Sequence, residues 1–258
     1  CAARRSVPVT YRRATTGTPI PGQRASQVPQ AQDDGQRARQ TERLRAEIAA
    51  LRVRDSVVLE PDDDLGAAIA TIGRTGGVII LTEGTWQILG TIPVPIAGVK
   101  IFGVTPERCL LRKDVVDANP IFSVTAARFE IHGLGVWDEG STGSAAVSLQ
   151  AGADHFVMDR CYINTCYRAV LASSAHYGQV SNCKAGARAE AVRLVNSDFW
   201  TIGPNSYLMA TDEIIYADDD TSWLIALGNQ GLGVGEISVK AGTSYQLAAN
   251  AAIQTVRP

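Results

Sequence analysis

The amino-acid sequence predicts an all-β chain whose larger part is a parallel β-helix, a coil in which short strands stack rung upon rung. From residue 76 onward, short segments rich in Val, Ile, Thr and aromatic residues alternate with glycines, which is typical of strands and tight turns. An aromatic residue also recurs along this part of the chain at nearly regular intervals. The aromatic members of this repeat are Phe129, Phe156, Tyr177, Phe199, Trp223 and Tyr245. A period of roughly 22 residues without a helical segment matches one rung of short strands and turns.

Composition and charge exclude several classes of protein. The 258-residue chain has 24 basic and 26 acidic residues and a formal net charge of −2, so it lacks the excess positive charge typical of nucleic-acid binding. No apolar run approaches the roughly 18 to 20 residues that cross a bilayer, and we expect no membrane insertion. The five cysteines show neither paired CxxC spacing nor the density of a disulfide scaffold. We therefore expect buried free thiols, and neither a metal site nor a cofactor.

Residues 1–38 are predicted to form an extended arm. Four prolines between residues 8 and 29 prevent a regular helix or strand, and seven arginines before residue 40 outnumber two acidic residues. Such a segment is either a solvated tail or an anchor that becomes ordered on a partner protein. Arginine forms forked, charge-assisted hydrogen bonds, which favours the anchor, with docking through residues 1–40. The candidate docking residues are Arg4, Arg5, Arg12 and Arg13.

A short helix is predicted over residues 39–58. The segment is rich in Ala, Arg, Glu, Gln and Leu, and Leu44, Ile48 and Leu51 follow the spacing of a coiled-coil seam. The seam covers only about two heptads, so the helix needs partners to stay folded. It packs either on its own domain or in a bundle between copies of the chain. The extended arm that precedes it favours the bundle.

The β-helix domain is predicted over residues 62–258, with a small helix at 65–72 that covers one end of the coil. If each repeated aromatic residue and the residue two positions later point inward, the residues between them point outward. The outward positions are then largely apolar in the later rungs, which suits contact between copies. The residues expected at the interface of a parallel homotrimer are Leu44, Ile48, Leu51, Val180, Ile202 and Leu224.

A family resemblance rests on residues 76–88, GGVIILTEGTWQI. Two glycines, an alternating apolar strand, and a glycine followed by an aromatic residue and another strand resemble the opening rung of pectate-lyase-like β-helix proteins. That family includes many bacteriophage tailspikes, and the resemblance covers about residues 62–258. It implies a right-handed coil. The order of arm, short coil and β-helix is also similar to that of phage tailspikes and tail fibres, which are usually trimers.

This resemblance implies a structural protein of a virion appendage. We expect the chain to be made in the host cytoplasm and displayed on the particle, where its arm anchors it to a baseplate, tail or portal-adaptor protein. The β-helix would then contact the host surface. Because the fold hosts lyases, hydrolases and inert shafts alike, the resemblance by itself does not establish an activity.

Residues that suggest chemistry are few. His132 and Asp159 are predicted to lie on adjacent rungs about 5 Å apart at the backbone, which suits either acid–base chemistry or a surface ion pair. The acidic runs 138–139, 212–213 and 218–220 lie beside Gly, Ser or Thr and are typical of turns. We expect no catalytic residue and no enzymatic activity. The alternative is a polysaccharide depolymerase, a glycoside hydrolase or lyase acting on capsule or lipopolysaccharide, although such β-helices are usually longer.

One loop is a candidate for contact with a host-surface glycan. It begins at Trp137, Asp138 and Glu139 and is the longest insertion between repeats. A tryptophan offers an apolar face on which a sugar ring can stack, together with a polar tip. We expect any glycan contact to be made by these three residues.

Overall fold

The computed structural model describes residues 39, 41–42, 56–72, 76–231, 236–240, 244–248 and 256–257. They include the helix α1 (Leu65–Thr71). In chain order the strands are β1 (Ser56–Leu59), β2 (Gly77–Leu81), β3 (Gly84–Gln87), β4 (Ile92–Val94), β5 (Val99–Gly103), β6 (Cys109–Lys113), β7 (Phe122–Val124), β8 (Glu130–His132), β9 (Gly135–Asp138), β10 (Val147–Leu149), β11 (Val157–Asp159), β12 (Tyr162–Asn164), β13 (Val170–Ser173), β14 (Gln179–Ser181), β15 (Lys184–Gly186), β16 (Val192–Val195), β17 (Trp200–Ile202), β18 (Asn205–Met209), β19 (Glu213–Ala217), β20 (Leu224–Leu227), β21 (Asn229–Gly231), β22 (Glu236–Val239), β23 (Tyr245–Ala248) and β24 (Val256–Arg257).

These strands form three sheets, and each turn of the chain adds a strand to each sheet in succession. The front sheet has the order β1-β2-β5-β8-β11-β14-β17-β20-β23. The second sheet runs from β3 through β6, β9, β12, β15 and β18 to β21, and the third from β4 through β7, β10, β13, β16, β19 and β22 to β24. Neighbouring strands are parallel. The chain is therefore a right-handed parallel β-helix, and the sequence-based prediction of the fold is confirmed.

The core is a set of side-chain columns inside the coil. Along the front sheet, equivalent inward positions are occupied by Ile101, Ile131, Met158, Val180, Ile202 and Ala226. All are almost fully buried. Helix α1 begins after Asp64, whose side chain accepts a hydrogen bond from the Ala67 amide, and it packs against β4. The small helix predicted at 65–72 is thus confirmed.

The inward register predicted from the aromatic repeat is correct for Phe129 and Phe156 and wrong for Tyr177, Phe199 and Trp223, while Tyr245 pairs with the inward residue Leu224 although it is itself exposed. Phe129 and Phe156 are buried, but Tyr177 and Phe199 lie outside the coil with exposed fractions of 50% and 45%. The strand pairing shows that Gly178, not Tyr177, occupies the position equivalent to Phe156, and Trp200 follows in the next rung. Tyr177 therefore comes one residue too early in the chain to complete a full rung after Phe156. A shift of one residue moves every side chain to the opposite face of a strand.

A pairing of small and large residues explains why this register is stable. A side chain at Gly178 would meet the Trp200 ring, since a Cβ atom there would lie 2.4 Å from it. The indole occupies the space that the glycine leaves, and its centre is 6.2 Å from that of Phe156, two rungs away. The indole Nε1 also donates a hydrogen bond to the Ala175 carbonyl at 2.9 Å. The column remains filled although one rung contributes no side chain.

The predicted shaft interface is wrong for the same reason. Val180, Ile202 and Leu224 are fully buried in the core of their own chain, so they cannot contact a second copy. The one-residue shift in register exchanges the inner and outer faces of β14, β17 and β20. The other predicted interface residues, Leu44, Ile48 and Leu51, lie outside the described residues.

The predicted boundary of the N-terminal helix also needs correction. The sequence pattern assigns residues 56–58 to the end of that helix, but they belong to β1, which pairs with β2 as the first strand of the front sheet. Ser56, Val57 and Val58 include two β-branched valines, which favour a strand. Residues 39, 41 and 42 are helical, and the remainder of the predicted helix lies outside the described residues.

Buried polar and sulfur groups form a further column in the second sheet. Asn205 donates a hydrogen bond from Nδ2 to Oδ1 of Asn229 in the next rung at 2.8 Å, and its own Oδ1 accepts one from the Cys183 amide at 2.9 Å. Both amides are buried and have hydrogen-bond partners, as buried polar groups require. The cysteines in the described part of the chain are free and buried, as predicted: Cys109, Cys161, Cys166 and Cys183.

Candidate functional site

The outer face of the front sheet is the candidate site. Its first outward column runs through Lys100, Glu130, Val157, Gln179, Thr201, Ile225 and Gln246. A second outward column begins with Phe102, His132, Asp159 and Ser181. Rungs are about 4.8 Å apart, so each column is a regularly spaced row of side chains. The early rungs carry charged groups and the later rungs carry aromatic and uncharged groups, which divides the face into two parts.

The first part is the charged cluster, defined as Lys100, Glu130, His132, Asp159 and Arg160. His132 Nε2 lies 3.2 Å from Glu130 Oε2, and His132 Nδ1 lies 3.8 Å from Asp159 Oδ2. Lys100 pairs with Glu130 at 2.7 Å and Arg160 pairs with Asp159 at 2.9 Å. The sequence correctly predicted that His132 and Asp159 lie on adjacent rungs.

Both carboxylates of the charged cluster are held in the ionised form. Burial raises the pKa of Glu130, but hydrogen bonds from Lys100 and His132 outweigh it, and the net pKa is lowered. Burial likewise raises the pKa of Asp159, and hydrogen bonds from Asn182, Arg160 and Ser181 lower it further than burial raises it. Neither group is the protonated general acid of a glycoside hydrolase, but an ionised carboxylate suits the base or nucleophile of such an enzyme. The cluster can accept a proton or orient the His132 imidazole, whose ring stacks on Phe102 with centroids 4.6 Å apart.

A row of aromatic rings borders the second part of the face. This turn stack consists of His155, Tyr177, Phe199 and Trp223, which precede β11, β14, β17 and β20. Successive ring centroids are 4.9, 4.8 and 6.3 Å apart and the planes are within 11° of parallel. Every member has a positive φ, between 57° and 61°.

Backbone preference does not explain the turn stack. A bulky residue at positive φ costs about 1 to 3 kcal/mol, and Gly or Asn would avoid much of that cost. Each stacked pair stabilises the fold by only about 0.5 to 1.5 kcal/mol. Both faces of the Tyr177 ring are covered by its neighbours, whereas Trp223 has a ring partner on one side, Phe199, and is 60% exposed. Strained residues of this kind cluster at functional sites.

The second part of the face is the aromatic groove, a cavity of about 400 Å³. Its exposed or partly exposed lining consists of Phe199, Thr201, Trp223, Ile225, Ser244, Tyr245 and Gln246, and the lining also includes Trp200 and Leu224, which are buried. Aromatic and aliphatic surface lies beside a few hydroxyl and amide groups. Apolar surface with a few convergent polar groups is typical of a ligand site, and this combination suits a sugar, which has an apolar ring face and a hydroxyl edge.

Of the three residues predicted to contact glycan, one is buried and has a structural role. Asp138, at the end of β9 in the second sheet, is fully buried and accepts a hydrogen bond from the Gly140 amide at 3.0 Å. Burial raises the pKa of its carboxyl group. Asp138 therefore cannot touch a glycan. Trp137 is partly exposed and Glu139 is exposed, with Trp137 Nε1 3.4 Å from Glu139 Oε1, so these two remain at the surface.

Other predicted residues can be placed or set aside. Asp218, Asp219 and Asp220 lie between β19 and β20, and the Asp218 carboxylate accepts a hydrogen bond from the Asn196 amide, as a turn residue does. The predicted docking residues Arg4, Arg5, Arg12 and Arg13 lie outside the described residues. In the described part of the chain, no helix has the length and apolar character needed to cross a bilayer.

The aromatic groove was not predicted, because the aromatic repeat assigns Trp223 and Phe199 to the inside of the coil. The usable signal was the rung length. His155, Tyr177 and Phe199 follow one another at equal intervals of one full rung, whereas Phe156 does not fit that series.

Comparisons with known proteins identify the fold but no family. No family model matches the chain, and no curated protein matches it. Pectin methylesterase PemA from Erwinia chrysanthemi is similar in structure, with a TM-score of 0.52 and 8% sequence identity over 74% of this chain and 80% of PemA. The catalytic domain of a GH87 α-1,3-glucanase gives a TM-score of 0.47 and 15% identity over 75% of this chain. The ORF18 protein of Geobacillus virus E2 gives 0.40 and 10% over 81% of this chain.

This chain matches only part of two of these proteins. The chain spans 31% of the glucanase domain and 61% of ORF18. At these identities the likeness shows the fold alone. It nevertheless corrects the expectation that the chain is not an enzyme. That expectation rested partly on the small number of rungs, yet PemA is an enzyme with this fold and 80% of its length is matched. A β-helix of comparable length therefore supports catalysis in that protein.

Proposed function

We propose that this chain is the host-contacting part of a bacteriophage appendage and binds a host-surface glycan in the aromatic groove. The observation that carries the proposal is Trp223, a 60% exposed indole with Phe199 stacked on one side, in a groove that also contains the Thr201 hydroxyl and the Gln246 amide. A sugar ring can stack on an indole face while its hydroxyls bond to the polar groups. Because Phe199 supports the indole from behind, little side-chain entropy is lost on binding.

The proposal includes attachment to the particle through the N-terminal arm. Residues 1–38, with Arg4, Arg5, Arg12 and Arg13, would dock on a baseplate, tail or portal-adaptor protein. Leu44, Ile48 and Leu51 would join three copies of the chain. The arginine-rich and proline-rich composition of the arm supports this part, since such a segment cannot form a core of its own.

Glycan binding is tested by measuring the affinity of the purified chain for isolated host-surface polysaccharide. Trp223→Ala should weaken binding by about tenfold or more, which corresponds to about 1.4 kcal/mol. Tyr162→Ala is the matched control, because Tyr162 is 39% exposed on β12, in the second sheet. A third variant, Trp137→Ala, tests the loop predicted from the sequence. Unchanged affinity in Trp223→Ala, or a larger loss in Trp137→Ala, would show that the groove is not the glycan site.

A second candidate function is cleavage of the same glycan. The charged cluster favours it, because His132 lies between two ionised carboxylates on the face that also bears the groove. From β8 to β17 is three rungs, about 14 Å, so a glycan that follows the front sheet would pass the cluster. Incubation with host polysaccharide should then release new reducing ends. Turnover that survives in both His132→Gln and Asp159→Asn would exclude the cluster as its source.

A further inference from the structure

We infer that the aromatic groove selects an uncharged sugar and rejects uronic acids and other anionic sugars. This inference rests on the proposed glycan binding and names the class of glycan. It depends on the charges around the groove, on the position of the cations of the charged cluster, and on the ring face of Trp223 that the turn stack does not cover.

The described lining of the groove offers no positive charge to an anionic ligand. Among the described residues that line it, Tyr245 is the only one with an ionisable side chain. Segments 241–243 and 249–255, which flank β23 in the chain and lie outside the described residues, contain no charged residue either. A sugar carboxylate in the groove would therefore lose water and gain no ionic partner, which is unfavourable.

The charges that the structure describes on this face do not compensate. Asp198 directly precedes Phe199, and its carboxylate accepts hydrogen bonds from the amide and hydroxyl of Ser222. Its other carboxylate oxygen lies 3.5 Å from His176 Nδ1, a ring nitrogen that also accepts a hydrogen bond from the Asp198 amide. Asp198 adds negative charge beside the groove. Lys100 and Arg160, the basic residues of the charged cluster, are already paired with Glu130 and Asp159 and belong to earlier rungs.

A neutral sugar meets none of these costs. Its hydroxyls can exchange water for the Thr201 and Ser244 hydroxyls and the Gln246 amide, while its apolar face packs on Trp223. The groove spans the rungs of β17, β20 and β23, so the bound glycan runs along the coil axis. Trp223 is the residue that fixes the position of the sugar ring, and the uncharged lining sets the specificity.

The test compares matched sugars on the intact chain. Calorimetry measures the affinity for neutral gluco-, galacto- and manno-oligosaccharides and for the uronic-acid oligosaccharides of equal length. At least one neutral series should bind, and its uronic counterpart should bind at least about tenfold more weakly. Gln246→Arg places a cation at the groove and should raise uronate affinity several-fold. Tyr162→Arg adds the same charge on the second sheet and should leave uronate affinity unchanged.

The outcomes separate the inference from the proposed function. Equal affinity of the wild type for neutral and uronic sugars would overturn the inference and leave glycan binding intact. Equal gains in Gln246→Arg and Tyr162→Arg would also overturn it, because long-range charge rather than the groove would then control binding. No binding to any sugar, including isolated host polysaccharide, would refute the proposed function itself.

Discussion

Two adjacent aromatic residues, Phe199 and Trp200, should differ sharply in what their removal costs. Trp200 is 1% exposed, fills the space above Gly178 and donates a hydrogen bond to the Ala175 carbonyl. Trp200→Ala should lower the free energy of unfolding by about 3 to 5 kcal/mol through the cavity alone. The Ala175 carbonyl loses its indole partner, which adds about 1 kcal/mol or more.

Phe199→Ala should cost far less, about 1 to 2 kcal/mol, because it removes only stacking contacts. The Phe199 ring is 45% exposed, and its contacts are the stacked rings of Tyr177 at 4.8 Å and Trp223 at 6.3 Å. Alanine keeps the Cβ atom, so the strain at positive φ is not relieved. The two variants therefore report on different environments, Trp200 on the inside of the coil and Phe199 on the turn stack outside it.

Urea unfolding followed by far-ultraviolet circular dichroism measures both costs, and the midpoints are comparable when the slope m is unchanged. Tyr162→Ala serves as a control and should shift stability by less than about 0.5 kcal/mol, as for a surface residue. The register described here would be refuted if Phe199→Ala were as costly as Trp200→Ala. A loss below about 1 kcal/mol in Trp200→Ala would refute the filled column, since a buried indole should leave a larger cavity.

Three further changes should have defined effects. Gly178→Ala places a Cβ atom against the Trp200 ring and should cost about 1 to 3 kcal/mol in urea unfolding; a neutral effect would contradict the close packing. Burial and neighbouring acids raise the pKa of Glu213 above its usual value, so ionisation of Glu213 destabilises the folded state as the pH rises. Glu213→Gln should therefore raise the thermal midpoint at pH 7 but not below about pH 4. The pKa of Asp159 is lowered below 3.8, so Asp159→Asn should destabilise at pH 7, with a difference that shrinks as pH falls below about 4. A pH-independent effect in either acidic variant would show that ionisation is not the cause.

The fold was predictable because the period of the sequence repeat equals the length of one rung. Short strands that recur with a period of about 22 residues can hardly pack in any other way when no helix separates them. The adjacency of His132 and Asp159 was predictable for the same reason, since both lie in rungs whose register the aromatic repeat gave correctly.

The groove could not be predicted from rung length, because packing between rungs decides which residues of each strand face inward. Gly178 has no side chain, and its position in the core is apparent only when Trp200 is seen to fill the space. An alignment based on aromatic residues therefore assigns Tyr177, instead of Gly178, to the core. This error exchanges the predicted inner and outer faces of the strand. Asp138 shows a different limit, because its neighbours Glu139 and Gly140 suggest an exposed turn, yet it lies at the end of β9 beside the buried Gly140 and Ser144.

The exchange of volume between Gly178 and Trp200 has a consequence for how this protein can evolve. Neither position is free to change alone, since a larger residue at 178 collides with the indole and a smaller residue at 200 leaves a void. Substitutions at these two sites should therefore be epistatic, tolerated together and harmful singly. The same coupling ties the hidden core to the neighbouring turn, because Phe199 and Trp200 are consecutive in the chain. Any change that alters the rim of the groove is thus constrained by a glycine one rung earlier, on the inner side of the coil.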